Sequence, residues 1–308
     1  MRNTLCALAL LAIAASAAAA DEPSVKVGAT LFADYTSQTA PDAFNVSRAY
    51  INVTGNLNKN ISFRITPDVS RESGSGSSLA GSQQFRLKYA FAQYTVDRWW
   101  IRLGMQQTPL IDATEAVYRY RFQGTLFPER EGWLSSSDTG ASVHYNLPGE
   151  RGDVHAGIYN GEGYSKAEAN DQKALQVRAT YKPLKGVRTT LFVDADHYAA
   201  GAKRTRLIGQ VTYESKRVNA GLDLAKATDR DTDNHGWSVW ATPRLGKGWE
   251  LLLRHDDTPA RSRNIAGIAY WVPALQKVTC AVLADVDTLS QDGKPRDNRI
   301  GLKLLLAF

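Results

Sequence analysis

From Val25 to Phe308 the chain divides into about sixteen segments in which apolar and polar residues alternate at every second position. The connections between these segments alternate short and long along almost the whole length. Asn58-Lys59-Asn60, Asp97-Arg98, Pro183-Leu184-Lys185-Gly186, Ser215-Lys216 and Gly246-Lys247-Gly248 form the short set. Residues 71–82, 106–137, 161–173, 228–235 and 288–297 form the long set. Period two marks half-buried strands, and a soluble sandwich has no physical reason to sort its turns by parity. A membrane barrel does, because short periplasmic turns and longer external loops alternate with strand direction. The expected fold is all-β: a transmembrane antiparallel β-barrel of about 16 strands, with both chain ends on the periplasmic side.

The alternation assigns faces. Val25, Val27, Ala29, Leu31 and Ala33 oppose Lys26, Thr30 and Asp34, while Ala49, Ile51 and Val53 oppose Arg48, Tyr50 and Asn52. Phe85, Leu87, Tyr89 and Phe91 are expected on the apolar face against Arg86 and Lys88, and Trp99, Ile101, Leu103 and Met105 against Arg102. Later segments repeat the pattern, as with Leu175, Val177, Ala179 and Tyr181 against Gln176 and Arg178. The last one, Arg299 to Phe308, puts Ile300, Leu302, Leu304, Leu306 and Phe308 on one face and ends the chain on an aromatic residue. That is the terminal pattern of barrels assembled into the bacterial outer membrane. Trp99, Trp249, Trp271, Tyr181 and Tyr213 fall near strand ends, where aromatic girdles belong.

Two domains of sequence are distinguished. Residues 1–20 read as a cleaved signal peptide: Arg2 supplies a positive start, Leu5 to Ala14 an apolar run, and Ala18-Ala19-Ala20 a small-residue cleavage site. Residues 21–308 then form the barrel, with Cys280 as the one cysteine left and no internal disulfide possible. The chain is only 43% hydrophobic, and no later stretch approaches eighteen consecutive apolar residues, so helical spans are excluded. Barrel strands escape such a scan because lipid-facing and lumen-facing residues alternate.

Residues 106–137 are the longest interruption, and a loop of that length in a compact domain is usually functional. It carries Arg119, Arg121 and Arg130 together with Asp112, Glu115, Glu129 and Glu131. As the third external loop it is expected to fold into the lumen and narrow it. Arg119 and Arg121 stand at i and i+2 with Tyr118, Tyr120 and Phe122 interleaved. An extended backbone would put both guanidiniums on one face and the aromatics against the wall.

A barrel of this size leaves an aqueous channel, so its inner face must be polar. The basic lining expected there is Arg48, Arg64, Arg86, Lys88, Arg102, Arg178, Arg188, Arg204, Arg206, Arg244, Arg254, Arg299 and Lys303. The acidic residues on the same face are fewer: Asp34, Asp68, Asp194, Asp196, Asp223, Glu250 and Asp256. Fixed charge of one sign favours solutes of the other, so the lumen is biased weakly towards anions. The formal charge of +6 agrees with this without singling out a partner.

Several segments resemble the phosphate-selective porin family. They are Phe32-Ala33-Asp34-Tyr35, Arg48-Ala49-Tyr50, Tyr89-Ala90-Phe91-Ala92-Gln93-Tyr94 and Ile101-Arg102-Leu103-Gly104-Met105-Gln106-Gln107-Thr108-Pro109. Tyr159-Asn160-Gly161 is similar to general trimeric porins. The resemblance implies a sixteen-stranded homotrimer in bilayer and lipopolysaccharide, passing small hydrophilic solutes or anions, with no cofactor and no nucleic-acid partner. In the best-known members a lysine cluster joins an arginine ladder at the constriction, whereas residues 106–137 contain no lysine and nearly balanced charge. Two other readings are a barrel hydrolase, for which Ser142 and His144 are the candidate pair, and a plugged structural barrel. The acidic run Asp229 to Asp233 could hold calcium at the surface, although Arg230 interrupts it.

Overall fold

The computed structural model describes residues 23–37, 43–71, 81–199, 202–273 and 277–308. The signal peptide expected at residues 1–20, and most of the connection at 71–82, lie outside these. Sixteen strands close into one barrel. The first eight are β1 (Ser24–Ser37), β2 (Ala43–Asn56), β3 (Ile61–Arg71), β4 (Gln83–Val96), β5 (Trp99–Gln107), β6 (Ser137–Asn146), β7 (Gly152–Tyr159) and β8 (Ala174–Tyr181). The rest are β9 (Val187–Ala199), β10 (Ala202–Glu214), β11 (Val218–Asp229), β12 (Thr232–Gly246), β13 (Trp249–Thr258), β14 (Arg261–Trp271), β15 (Thr279–Gln291) and β16 (Asp297–Ala307).

Every strand pairs antiparallel with its chain neighbours, and β1 pairs with β16, placing Ala33 opposite Leu304 and Tyr35 opposite Leu302. The terminal Phe308 completes the seam, its backbone N–H and C=O exchanging 3.0 Å bonds with Ala29. Closure satisfies the backbone groups that an open sheet would leave facing hydrocarbon. Apolar residues stand outward on alternate positions: Ile101 is 49% exposed and Leu103 51%, while Arg102 between them is 9% exposed. The outer wall is therefore the lipid face, and the charged residues lie on the inner one.

Three expectations are corrected. The apolar face of β4 switches midway. Thr66 of β3 pairs with Tyr89 and Pro67 with Leu87, so Lys88 has no opposite residue and forms a bulge. Phe85 and Leu87 remain outward, but Tyr89 is turned inward at 5% exposure, and Phe91 lies under the Arg102 guanidinium. A bulge adds one residue to one strand and reverses the phase beyond it. Trp271 also faces inward, packed against Tyr120 and Phe122, and does not join the outer girdle.

The parity of the connections weakens after β9. β11 and β12 are joined by Arg230-Asp231 alone, with Arg230 at φ 54°, and the connection expected at 228–235 is largely strand. Likewise β15 extends to Gln291 before β16 starts at Asp297. The polar residues there pair across the hairpin, Thr228 with Asp233 and Asp229 with Thr232. Strands that rise into water above the bilayer become polar on both faces and so imitate loop composition.

Candidate functional site

The segment between β5 and β6 is built, not structureless. Pro109–Glu115 forms the short helix α1 and Phe127–Arg130 the single turn α2. Each has proline in its first turn, where the missing N–H is no loss. Between them Tyr118, Tyr120 and Phe122 alternate with Arg119 and Arg121, but the chain turns at residues 121–123, where Gln123 N–H donates to Tyr120 O at 2.9 Å. All three aromatics are buried, at 1%, 0% and 4% exposure. They pack with Ile111, Val117 and Leu126 against Phe32, Trp240, Leu252, Ile265, Ala269 and Leu283 of the wall.

Those wall residues occupy the positions between the lipid-facing ones, and the polar contacts of the segment fall on the same face. Asn219 Nδ2 donates to Val117 O at 3.0 Å, Thr114 Oγ1 to Gln210 Oε1 at 3.2 Å, and Gln123 Nε2 to Asp285 Oδ2 at 3.1 Å. Lys303 Nζ donates to Gln123 O at 3.2 Å and Arg206 Nε to Trp133 O at 3.0 Å. The segment is thus fixed to β10, β11, β15 and β16 by both backbone and side chains.

Most of its charges are paired. Arg119 Nη2 lies 2.7 Å from Glu250 Oε2, and its guanidinium stacks 4.1 Å from the Trp271 ring centroid. Arg121 bridges Glu115 at 2.7 Å and Glu129 at 2.8 Å. Arg130 reaches Asp256 at 3.2 Å, and Asp112 sits half-buried in α1. Burial pushes the Glu115 carboxyl above its ordinary range, against the pull of Arg121. Burial works against the charge of Arg121 as well, but Glu115 and Glu129 outweigh it and raise its pKa. Arg130 is pulled down to about 10 by burial and by the neighbouring Arg254.

The lining residues separate into two groups by partner. Arg48 bonds Asp68 at 2.6 Å, Arg178 bonds Asp153, Arg188 lies 3.0 Å from Glu214, and Arg204 bonds Asp196. Arg244 Nε lies 3.2 Å from Glu250, Arg254 2.7 Å from Asp256, Arg299 2.6 Å from Asp297, and Lys303 3.9 Å from Asp285. The others meet neutral groups. Arg64 donates to Asn52 at 2.8 Å, Arg86 to the Tyr164 hydroxyl at 2.9 Å, and Lys88 to the Tyr50 hydroxyl at 3.0 Å. Arg102 donates to Gln93 at 2.8 Å, and Arg206 to three backbone carbonyls. Lys88, Arg102, Arg178, Arg206 and Arg254 face inward but are buried under neighbouring side chains.

Of the cations that meet neutral groups, Arg64, Arg86, Lys88 and Arg102 lie on β3 to β5, and Arg206 lies on β10. Arg48 and Arg86 border a cavity of about 490 Å³ with Arg121, Lys303 and a single carboxylate, Asp34. A second cavity of about 340 Å³ shares Asp34, Gln123, Gly124, Thr125 and Lys303 with it. It is more balanced, adding Asp285 and Asp287 to Arg130, Arg263 and Arg299. Sequence reasoning placed Asp34, Arg48 and Arg86 on this face but missed Gln123, Gly124 and Thr125, which carry no charge. Tyr164 was missed as well, since nothing in a polar loop marks which residue turns inward.

The hydrolase pair is not assembled. Ser142 Oγ donates to Gln106 Oε1 at 2.5 Å, while His144 Nε2 lies 3.1 Å from Asp153 and its ring stacks on Trp100 at 4.7 Å. In the acidic run, Asp233 pairs with Lys226 at 3.0 Å.

A closed barrel with an apolar exterior, a charged inner face and cavities beside the β5–β6 segment has the architecture of a membrane channel. The family model for phosphate-selective porin O and P matches residues 25–240, and the chain belongs to that family. It is a bacterial outer-membrane porin. Among solved structures, it resembles the Salmonella typhi OmpF complex with daunomycin at a TM-score of 0.68 and 10% identity, covering 92% of this chain and 97% of that one. It resembles an anion-selective porin from Comamonas acidovorans at 0.66 and 12%, covering 93% and 99%. The trimer form of in-vitro folded OmpT from Vibrio cholerae follows at 0.63 and 13%, covering 94% and 100%. No curated protein matches the chain.

Proposed function

We propose that this porin passes small hydrophilic solutes with a weak preference for anions, and that residues 106–137 fold into its lumen to form the constriction. The observation that carries the reading is the cavity where Arg48, Arg86, Arg121 and Lys303 meet one carboxylate, Asp34, at the edge of Gln123-Gly124-Thr125. Asp68 bonds Arg48 and Asp285 lies 3.9 Å from Lys303, so the local excess rests on Arg86, which meets only the Tyr164 hydroxyl, and a low-dielectric wall strengthens it. Arg121 is offset by Glu115 and Glu129, which keeps the preference mild and argues against a dedicated phosphate trap. The likeness to an anion-selective porin supports the same sign.

The protein is proposed to act as a channel without catalysis, to leave the cytoplasm by means of a signal peptide at residues 1–20, and to assemble as a homotrimer. The last point is supported by the trimer form among its structural neighbours. Conductance across a planar bilayer under a salt gradient tests the channel. A reversal potential of the sign set by anion flux is expected; cation preference overturns the anion reading, and absence of current favours a plugged barrel. Chemical cross-linking of the detergent-purified protein tests the trimer.

A further inference from the structure

The connection between β7 and β8 reaches basic residues of β2 and β4. It is held at its base by Gly161 N–H donating to Asp138 Oδ2 at 2.8 Å and by Tyr164 N–H donating to Ser137 O at 3.0 Å. Gly163, at φ 77°, supplies the left-handed turn that directs Tyr164 inward. There the phenol oxygen accepts from Arg48 Nη1 at 3.1 Å and from Arg86 Nη2 at 2.9 Å. The Arg86 guanidinium carbon lies 4.6 Å from the centroid of its ring and the Lys88 ammonium 5.4 Å.

A hydroxyl oxygen has two lone pairs, and here both meet guanidinium donors. The cations gathered on this oxygen have poor compensation. Asp68 answers Arg48 alone, Lys88 is turned to the Tyr50 hydroxyl, and Arg86 Nε is buried without a hydrogen-bond partner among the described residues. Arg121, the other cation bordering the cavity from the β5–β6 segment, is engaged by Glu115 and Glu129. Two guanidiniums converging on one uncharged oxygen is the arrangement that suits a charged one. Hydrogen bonds to an ionised acceptor are roughly twice as strong as those to a neutral one.

We propose that Tyr164 is a displaceable cap: its phenol oxygen occupies the position that an oxyanion oxygen takes between Arg48 and Arg86, and a solute anion must compete with it for those donors. The cap sets the affinity of the cavity for oxyanions and keeps it low enough for passage. A site that held its solute tightly would retain it, whereas conduction requires binding weak enough to leave. This rests on the anion-preferring reading of the pore and adds to it a residue that tunes it.

The test uses the full-length protein in planar bilayers, with chloride current measured while inorganic phosphate is added at neutral pH. Tyr164→Phe removes the competing oxygen and keeps the ring. It is expected to lower the phosphate concentration for half-maximal reduction of the chloride current about fivefold, the factor set by one hydrogen bond of about 1 kcal/mol. Arg86→Gln is expected to raise that concentration with either residue at position 164. A Tyr164→Phe channel with the same phosphate response as the native one overturns the proposal alone. One that needs more phosphate shows the phenol to be part of the anion's cage and also overturns it. A native channel that prefers cations in the absence of phosphate overturns the underlying pore reading.

Discussion

Arg119 Nη2 lies 2.7 Å from Glu250 Oε2, although 131 positions separate the two residues in the chain. The contact pins the middle of the β5–β6 segment to the base of β13, and Arg244 joins it at 3.2 Å. Glu250 is buried, while Arg119 is partly open to solvent, so the pair is screened on one side only. Glu250→Gln keeps the shape and removes the counter-charge of both arginines. The expected loss is about 1 kcal/mol, read as a lower urea midpoint with unchanged slope.

The charge pattern separates two pairs of arginines. Arg48 and Arg86 share one carboxylate contact, whereas Arg119 and Arg121 are fully engaged by Glu250, Glu115 and Glu129. Arg48→Glu with Arg86→Glu is therefore expected to move the reversal potential further towards cation preference than Arg119→Glu with Arg121→Glu. Equal shifts from the two double variants would place the constriction along the whole segment and not at the β2–β4 wall.

The aromatic ladder holds the segment in place. Tyr120 is fully buried, stacks on Phe122 at 5.5 Å and accepts from Trp271 Nε1 at 3.2 Å. Truncating a buried aromatic costs about 3–5 kcal/mol through lost transfer energy and a residual cavity. Tyr120→Ala is expected to lower thermal stability and to give larger, noisier single-channel currents. A stable variant with native conductance would mean that the segment is held by its polar contacts alone.

Glu115 is expected to give the channel a pH dependence. Its carboxyl is raised by burial, so it takes up a proton above the ordinary carboxylate range and leaves Arg121 less compensated. Anion preference is expected to increase as pH falls into that range. Glu115→Gln should fix the higher preference and remove the step. The stability sign follows from the same shift: the unfolded chain releases this proton at lower pH, so the protonated form favours the folded state. That contribution is complete below the unfolded pKa and is lost as pH rises through the folded one. A selectivity that does not change with pH, in native protein and variant alike, would remove Glu115 from the pore's electrostatics.

Most of the barrel was legible because period-two alternation is a direct image of a wall between lipid and water. Ile101, Arg102 and Leu103 could be assigned their faces from spacing alone. Tyr89 could not, because the bulge at Lys88 adds a residue that no local pattern announces. The turn at Arg230-Asp231 was hidden because strand that leaves the bilayer loses its apolar face. At the candidate site the sequence located the charged residues and the interleaved aromatics of the β5–β6 segment. It did not reveal ion pairing: Arg121 and Arg86 look alike in sequence, yet one is neutralised by two carboxylates and the other meets a phenol. Such pairing depends on contacts between distant strands.

The central claim is an open pore whose basic wall, where Arg86 stands beside Arg48 without a carboxylate of its own, favours anions. The reversal potential of the native protein in a planar bilayer, under a tenfold potassium chloride gradient, tests it most directly. A steady conductance with a potential displaced towards the chloride equilibrium value is expected. A displacement towards the potassium value, or a membrane that stays closed after verified insertion, would contradict it.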